Sequence, residues 1–270
     1  MKIDVVIPSK GEWTLRYCLA SVRKNVPINK LVLVRPSTIN SIDASWQGLE
    51  SMPSEVIFFD QKNIGAARAM GLKSVETEYY ASIDSDVIVN KKWFDWCSKT
   101  IQQEGVGACQ GYAKAAAKIF TPMNIVAIKR AGGTGFSCLG NTMLNTEIAK
   151  KVGIPEVPYG EDWRFRSKME RMGYKWISNL EIQCQHLKSD IDVWKNFIWW
   201  GKVDGVLTVP TILRHLGWYA TIGMLKEPLR YNLFSIAQEL FLLYGKLKRQ
   251  ETALSSFLKI SKLMKRNTVK

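Results

Sequence analysis

Short apolar runs alternate with amphipathic stretches through the first half of the chain, the rhythm of β-α-β units around a mostly parallel sheet. Ile3-Asp4-Val5-Val6-Ile7 reads as a strand ending at Pro8, and residues 12–25 read as a helix with Leu15, Leu19 and Val22 on one face. Leu31–Val34 and Val56–Phe59 are the next two buried strands, and Asn63 caps a small-residue helix from Ile64 to about Glu76. Tyr79–Ile83 is a fourth strand, running straight into Asp84-Ser85-Asp86. A helix over 91–104 and a strand over 106–112 follow. The fold expected is α/β, a Rossmann-like central sheet flanked by helices, with a helical extension at the C-terminus.

The second half changes texture. Gly132-Gly133-Thr134-Gly135 and Gly140-Asn141 form a glycine-rich turn region before a short helix at 146–152, and Gly160-Glu161-Asp162 opens a helix to Met172. Two strands are expected at 174–178 and 181–186, the second ending at His186. Beyond 205 the chain reads as helical, apolar and basic, so the expected division is a catalytic domain over 1–205 and a basic amphipathic extension over 206–270.

Charge narrows the class of partner. With 38 Lys and Arg against 24 Asp and Glu, a net charge of +14 asks for a phosphate-bearing substrate, an acidic lipid surface or nucleic acid. Residues 206–270 hold 11 Lys and Arg against 3 Glu, which places +8 of that charge in the tail and +6 in the first 205 residues. A nucleic-acid binder would carry its charge as a stripe across the sheet domain, so no nucleic-acid partner is expected. Trp194, Phe197, Trp199, Trp200, Trp218 and Tyr219 beside the basic tail suit either an interfacial helix on acidic lipid or core packing. Leu233, Ile236, Ala237, Leu240, Phe241, Leu243 and Tyr244 form a broad apolar helical face.

No window reaches the roughly 18 uninterrupted apolar residues of a membrane span, and the N-terminus turns polar after Ile7, too early for a secretory leader. Five cysteines without a CxxC pair argue against a disulfide framework and a structural zinc site. The expected location is cytoplasmic, peripheral on the inner face of the membrane.

Four groups of residues can carry chemistry. Asp84 and Asp86, at i and i+2 from a strand end, would lie on one side of an extended chain, where a divalent cation could bridge them to a diphosphate; the alternative is an ordinary turn. The small-residue helix start at Asn63–Gly71 allows close approach of a phosphate or base, with Arg68 supplying charge, or else packs tightly on the sheet with Arg68 solvated. Glu161 and Asp162 either stabilise a helix start through its dipole or supply a general base under a flexible edge at Pro155–Gly160. His186 is either a polar strand cap or a third ligand for a Mn2+-like ion. His215, in the tail, is given no role.

Taken in order, the segments VVIPSKGEWTLRYCLASV, NIGAARAMG, YYASIDSDVIV, GGTGFSCLGNTMLNTEIAKKVG, the GEDW pair and His186 resemble the inverting family 2 glycosyltransferases of the GT-A fold, over residues 2–190. The resemblance implies a nucleoside-diphosphate sugar bound along the strand ends, with Mn2+ or Mg2+. Pro8 and Ser9 would line the nucleotide pocket, Asn63 and Arg68 would lie near base or phosphates, and Asp84 and Ser85 would face the ribose. Asp84, Asp86 and His186 would form the metal set, and Asp162 matches the catalytic base, with Glu161 beside it. The glycine-rich 132–135 segment would lie near donor sugar and acceptor, the latter a glycan or lipid-linked hydroxyl.

Family members commonly carry an acid just after the second strand to recognise the base. Here the stretch is Leu33-Val34-Arg35-Pro36-Ser37, so Asp43 or Asp60 takes that role or the base is read differently, which weighs against a uridine donor and leaves GDP- and dTDP-sugars open. A nucleotidyltransferase of the same fold and a non-enzymatic basic membrane- or nucleic-acid-binding protein are the competing classes. The first strand leads into Pro8-Ser9-Lys10-Gly11, without the glycine-rich, lysine-bearing turn of many nucleotidyltransferases.

Overall fold

The computed structural model describes residues 1–38, 53–61, 63–117, 125, 136–203, 240 and 243–249. The chain divides into two compact units, Met1–Ser189 and Asp190–Lys270. In the first unit the strands are β1 (Ile3–Pro8), β2 (Ile28–Arg35), β3 (Ser54–Phe58), β4 (Tyr79–Ile83), β5 (Val87–Ile88), β6 (Val106–Ala115), β7 (Asn141–Asn145) and β8 (Lys175–His186). Its helices, among the described residues, include α1 (Leu15–Asn25), α2 (Ile64–Lys73), α3 (Lys91–Thr100), α4 (Thr146–Val152) and α5 (Glu161–Arg171).

The eight strands form one sheet in the order β3-β2-β1-β4-β7-β6-β8-β5. β3, β2, β1 and β4 run parallel, as β6 and β8 do, whereas β7 runs antiparallel to β4 and β6, and β5 antiparallel to β8. All six residues of β1 are buried, as expected of a central parallel strand covered on both faces. Its alternate residues enter two cores. Ile3, Val5 and Ile7 pack with Leu15, Cys18, Leu19 and Val22 of α1 and with Trp93 and Cys97 of α3. Val6 packs on the other side with Ala67 and Leu72 of α2, Ala149 and Val152 of α4, and Phe165 and Met169 of α5. Trp93 is fully buried and donates its indole N–H to the Asn141 carbonyl at 3.0 Å, so truncating it would cost about 3–5 kcal/mol.

Two expectations are corrected. The pair of strands at 174–178 and 181–186 is the single strand β8, whose pairing to β6 slips between Gly111↔Asn179 and Tyr112↔Gln183. That irregularity at residues 180–182 breaks the alternation that an unbroken strand would show in sequence. The turn expected around Gly140-Asn141 is confined to Leu139-Gly140, and Asn141 already begins β7, a strand of the sheet. Residues 132–135 lie outside the described residues, and so does the boundary at 205/206. All five cysteines are free thiols.

The second unit contains α6 (Asp190–Val203) and helical residues 243–249. The two segments touch at Gly245, where a Cβ would sit 2.0 Å from the Ile198 carbonyl oxygen. Among the described residues no helix is long and apolar enough to cross a membrane. Trp218, Tyr219, His215 and the residues of the apolar face from Leu233 to Ala237 lie outside the described residues.

Candidate active site

The carboxyl end of β4 sets the site. Beyond Ile83, the Val87 N–H donates to the Asp84 carbonyl at 3.0 Å and closes a four-residue turn. Of the two readings of Asp84 and Asp86, the turn is the one the structure shows, so they do not share one side of an extended strand. They diverge. The Asp84 N–H donates to the Gly140 carbonyl at 2.9 Å, and a Cβ on Gly140 would fall 2.3 Å from the Asp84 carboxylate, so any larger residue there must displace it.

Arg68 joins Asp84 to the start of α5. One guanidinium nitrogen binds Asp84 Oδ1 and another binds Glu161 Oε1, in a site where the arginine is 4% exposed. Burial lowers the guanidinium's proton affinity, but the charges of Asp84 and Glu161 outweigh it and hold the group protonated. Arg68 is thus not solvated; it ties the Asp84-Ser85-Asp86 turn to the Glu161-Asp162 pair. Glu161 is fixed in the same clamp, which leaves Asp162 as the carboxylate of that pair outside it.

Of the two readings of the small-residue start of α2, close packing is the one the structure shows. Asn63 caps the helix by accepting the Ala66 N–H at 3.1 Å and donates its own amide to the Glu156 carbonyl at 2.9 Å. The Gly65 N–H donates to Val157 at 3.2 Å, and a Cβ at Gly65 would stand 2.1 Å from the Pro155 carbonyl oxygen. The chain's own 155–157 backbone therefore occupies the close approach reserved for a phosphate or base. Asn63 is a cap and a strut, and the edge at Pro155–Gly160 is pinned at its beginning rather than free.

Asp162 stands in the first turn of α5, behind Gly160, which adopts a left-handed conformation at φ +73°. Burial raises the Asp162 carboxyl, the neighbouring charge of Glu161 raises it further, and Arg68 together with the Trp163 N–H pulls it back, leaving it at about 6. The Trp163 N–H reaches Asp162 Oδ1 at 2.7 Å.

On the other side of the turn, Asp86 meets the end of β8. Val87 pairs with His186 across β5 and β8, and the Leu187 N–H donates to the Asp86 carbonyl at 2.8 Å. Asp86 Oδ1 faces His186 Nε2 at 3.2 Å and Oδ2 faces Lys188 Nζ at 3.4 Å. Burial pushes the Asp86 carboxyl up, but contact with His186 and then Lys188 outweighs it and holds the group well below the usual carboxylate range. Asp86 Oδ1 and His186 Nε2 are both cut off from solvent and neither takes part in a hydrogen bond. A carboxylate oxygen and an imidazole nitrogen so placed are donors that could hold a Mn2+-like ion. Asp84 Oδ1 is on Arg68. Among the described residues no three His, Cys, Asp or Glu side chains converge on a metal position.

The turn after β1 closes the site. Pro8 is buried opposite Val34, and the Ser9 N–H continues that pairing at 2.9 Å. Glu12, which the sequence did not single out, accepts from Ser9 Oγ at 2.8 Å, the Lys10 N–H at 2.8 Å and Ser85 Oγ at 3.1 Å. The hydroxyls of Ser9 and Ser85 are committed to this carboxylate, which links the β1 turn to the Asp84–Asp86 turn. Asp60, just past β3, accepts from Ser37 N at 2.7 Å and Ser37 Oγ at 2.6 Å. That places an acid, held ionised by the Ser37 hydrogen bonds, at the end of β2, where the sequence itself has none. Asp43 lies outside the described residues.

Solved structures share this fold. A mannosyltransferase from Pyrobaculum calidifontis, in complex with GDP-Man and Mn2+, superposes with a TM-score of 0.62 at 14% identity, covering 94% of this chain and 74% of that one. Glucosyl-3-phosphoglycerate synthase from Mycobacterium tuberculosis, with Mn2+, UDP and glucosyl-3-phosphoglycerate, gives 0.54 at 16% identity over 80% of each chain. Residues 1–349 of S. aureus TarS give 0.51 at 16% identity, covering 90% of this chain and 81% of that one. No curated protein sequence matches the chain. The model of glycosyl transferase family 2 matches residues 4–150, from the first strand through the site turn to α4, and the chain belongs to that family, a glycosyltransferase of the GT-A fold.

Proposed function

We propose that the enzyme is a metal-dependent, inverting glycosyltransferase that moves a sugar from a nucleoside-diphosphate sugar to an acceptor hydroxyl, with Asp162 as general base. The observation that carries this is the Arg68 clamp, which brings the Asp84-Ser85-Asp86 turn and the Glu161-Asp162 helix start to one place although they are far apart in the chain. Asp86 Oδ1 and His186 Nε2 would hold Mn2+ or Mg2+, whose chemistry when bound is to offset charge on the departing diphosphate.

Asp162, with its carboxyl at about 6, is ionised at neutral pH yet basic enough to take a proton from a hydroxyl approaching the sugar. The acceptor oxygen forms its bond to the anomeric carbon as the bond from that carbon to the phosphate oxygen breaks. The hydroxyl proton goes to Asp162 and the electron pair leaves with the diphosphate. Attack from the face opposite the leaving group inverts the anomeric centre in one displacement. Arg68 and Glu161 hold the first turn of α5, and so Asp162, against the donor turn. Pro8, Ser9 and Ser85 would border the nucleotide, and Asp60 on Ser37 is the acid available to the base.

A glycan or lipid-linked acceptor at the cytoplasmic face of a membrane, reached through the +8 of residues 206–270, agrees with the charge distribution. Turnover of UDP-, GDP- and dTDP-sugars, measured as nucleoside diphosphate released with and without Mn2+, is the test. Chelator-sensitive release by the wild type, and its loss in a folded Asp86→Ala variant, is expected; equal release with EDTA would refute metal dependence.

A further inference from the structure

We propose that Lys188 is a built-in counter-cation of Asp86, which competes with the divalent ion for that carboxylate and, once displaced, binds the donor's diphosphate. The inference rests on the metal-dependent reading above and adds a residue to it.

The geometry is specific. β8 ends at His186, and the chain is fastened on both sides of that residue's peptide: the Ala116 N–H donates to the His186 carbonyl at 3.0 Å and the Leu187 N–H to the Asp86 carbonyl at 2.8 Å. Lys188 follows at once, and its side chain returns to the turn just crossed, Nζ lying 3.4 Å from Asp86 Oδ2. Asp86 is therefore shared, with an imidazole on one oxygen and an ammonium on the other.

Charge shows why such a lysine belongs there. Glu12, Asp84, Asp86, Glu161 and Asp162 bring five carboxylates to the site, and the Arg68 guanidinium is used up between Asp84 and Glu161. Lys188 is what balances Asp86 before any ligand arrives. When a divalent ion takes Asp86, the ammonium loses its partner while the diphosphate brings fresh negative charge within reach of its flexible four-carbon stem. The exchange keeps the carboxylate from standing buried and unpaired, and it makes the ion and the diphosphate bind cooperatively, each weakly alone.

The test uses the full chain, Mn2+ followed by its electron paramagnetic resonance signal, and inorganic pyrophosphate as the probe for the diphosphate. An opposite charge at this distance moves the proton affinity of a carboxylate by one or more powers of ten, and the same competition acts on a metal ion. Lys188→Gln should therefore bind Mn2+ alone about tenfold more tightly than the wild type, while its Mn2+-loaded form binds pyrophosphate about tenfold more weakly. Lys188→Arg, which keeps the charge, should stay near wild type in both measurements. Lys188→Met is the second neutral variant, and a cooperative thermal melt identifies which neutral variant is folded. A neutral folded variant with unchanged or weaker Mn2+ affinity overturns the role of Lys188 while leaving metal binding by Asp86 and His186 intact. No Mn2+ binding by the wild type or either neutral variant overturns the metal reading itself, and the present inference with it.

Discussion

Replacing Asp162 by asparagine should abolish turnover and make the protein more stable at pH 8. The carboxyl stands at about 6 in the folded protein against a reference of 3.8, because burial, Glu161 and Asp84 all disfavour its charge. A group whose folded value is raised takes up its proton first in the native state. Once ionised it therefore weighs against folding, fully above pH 6 and progressively less as pH falls from 6 towards 3.8. Two pKa units correspond to about 3 kcal/mol, which we discount to about 1–3 kcal/mol because Asp162 is partly exposed. Asparagine has the same shape, carries no charge and still accepts the Trp163 N–H, so it removes the repulsion and leaves the helix start intact. For a chain of this size a gain of 2 kcal/mol raises the melting temperature by about 4–8 °C. Thermal melts of both proteins at pH 8, 6 and 4 provide the assay: the asparagine variant should melt higher at pH 8, and the gap should close by pH 4. Wild-type kcat/KM should rise with pH through about 6, while the variant loses transfer yet keeps its thermal shift with nucleoside diphosphate. A variant that melts no higher than wild type at pH 8, or a gap that persists at pH 4, refutes the electrostatic argument; wild-type transfer by the variant removes Asp162 as the base.

Arg68→Met should cost about 3–5 kcal/mol in urea denaturation, because it strands the Asp84 and Glu161 carboxylates without their shared cation. Arg68→Lys should recover little, since a single ammonium cannot reproduce two guanidinium contacts, and a loss below about 1 kcal/mol in the methionine variant would refute the clamp. Gly140→Ala places a methyl where the Asp84 carboxylate lies 2.3 Å away, so it should destabilise by about 1–3 kcal/mol and weaken nucleoside-diphosphate binding by displacing Asp84 from Arg68. Unchanged melting and binding would show that Asp84 has room to move.

The parts of the fold legible in sequence were those written in local pattern. β4 is bounded correctly at Tyr79–Ile83 because an apolar run stops abruptly at acids, and Asn63 is legible as a cap because capping is a matter of three neighbouring residues. β7 was missed because five residues flanked by asparagines, Asn141 to Asn145, present no periodicity long enough to detect, although the strand sits at the centre of the sheet between β4 and β6. The site divides in the same way. Its acids and His186 are legible as residue types, but their partners are not, because Arg68 meets Asp84 across 16 residues and Glu161 across 93.

Glu12 and Lys188 read in sequence as two more surface charges among many; only the return of their chains to the Asp84–Asp86 turn makes them part of it. Asn63–Gly71 is the sharpest case. Small residues at a helix start report that something comes close, and the sequence has no means of saying what. Here it is the carbonyl of Pro155, whose approach to Gly65 seats α2 beside the segment that leads into α5. The packing that brings Gly65 against that carbonyl also positions Arg68 to reach Glu161, so this helix start shapes the site through the backbone it holds.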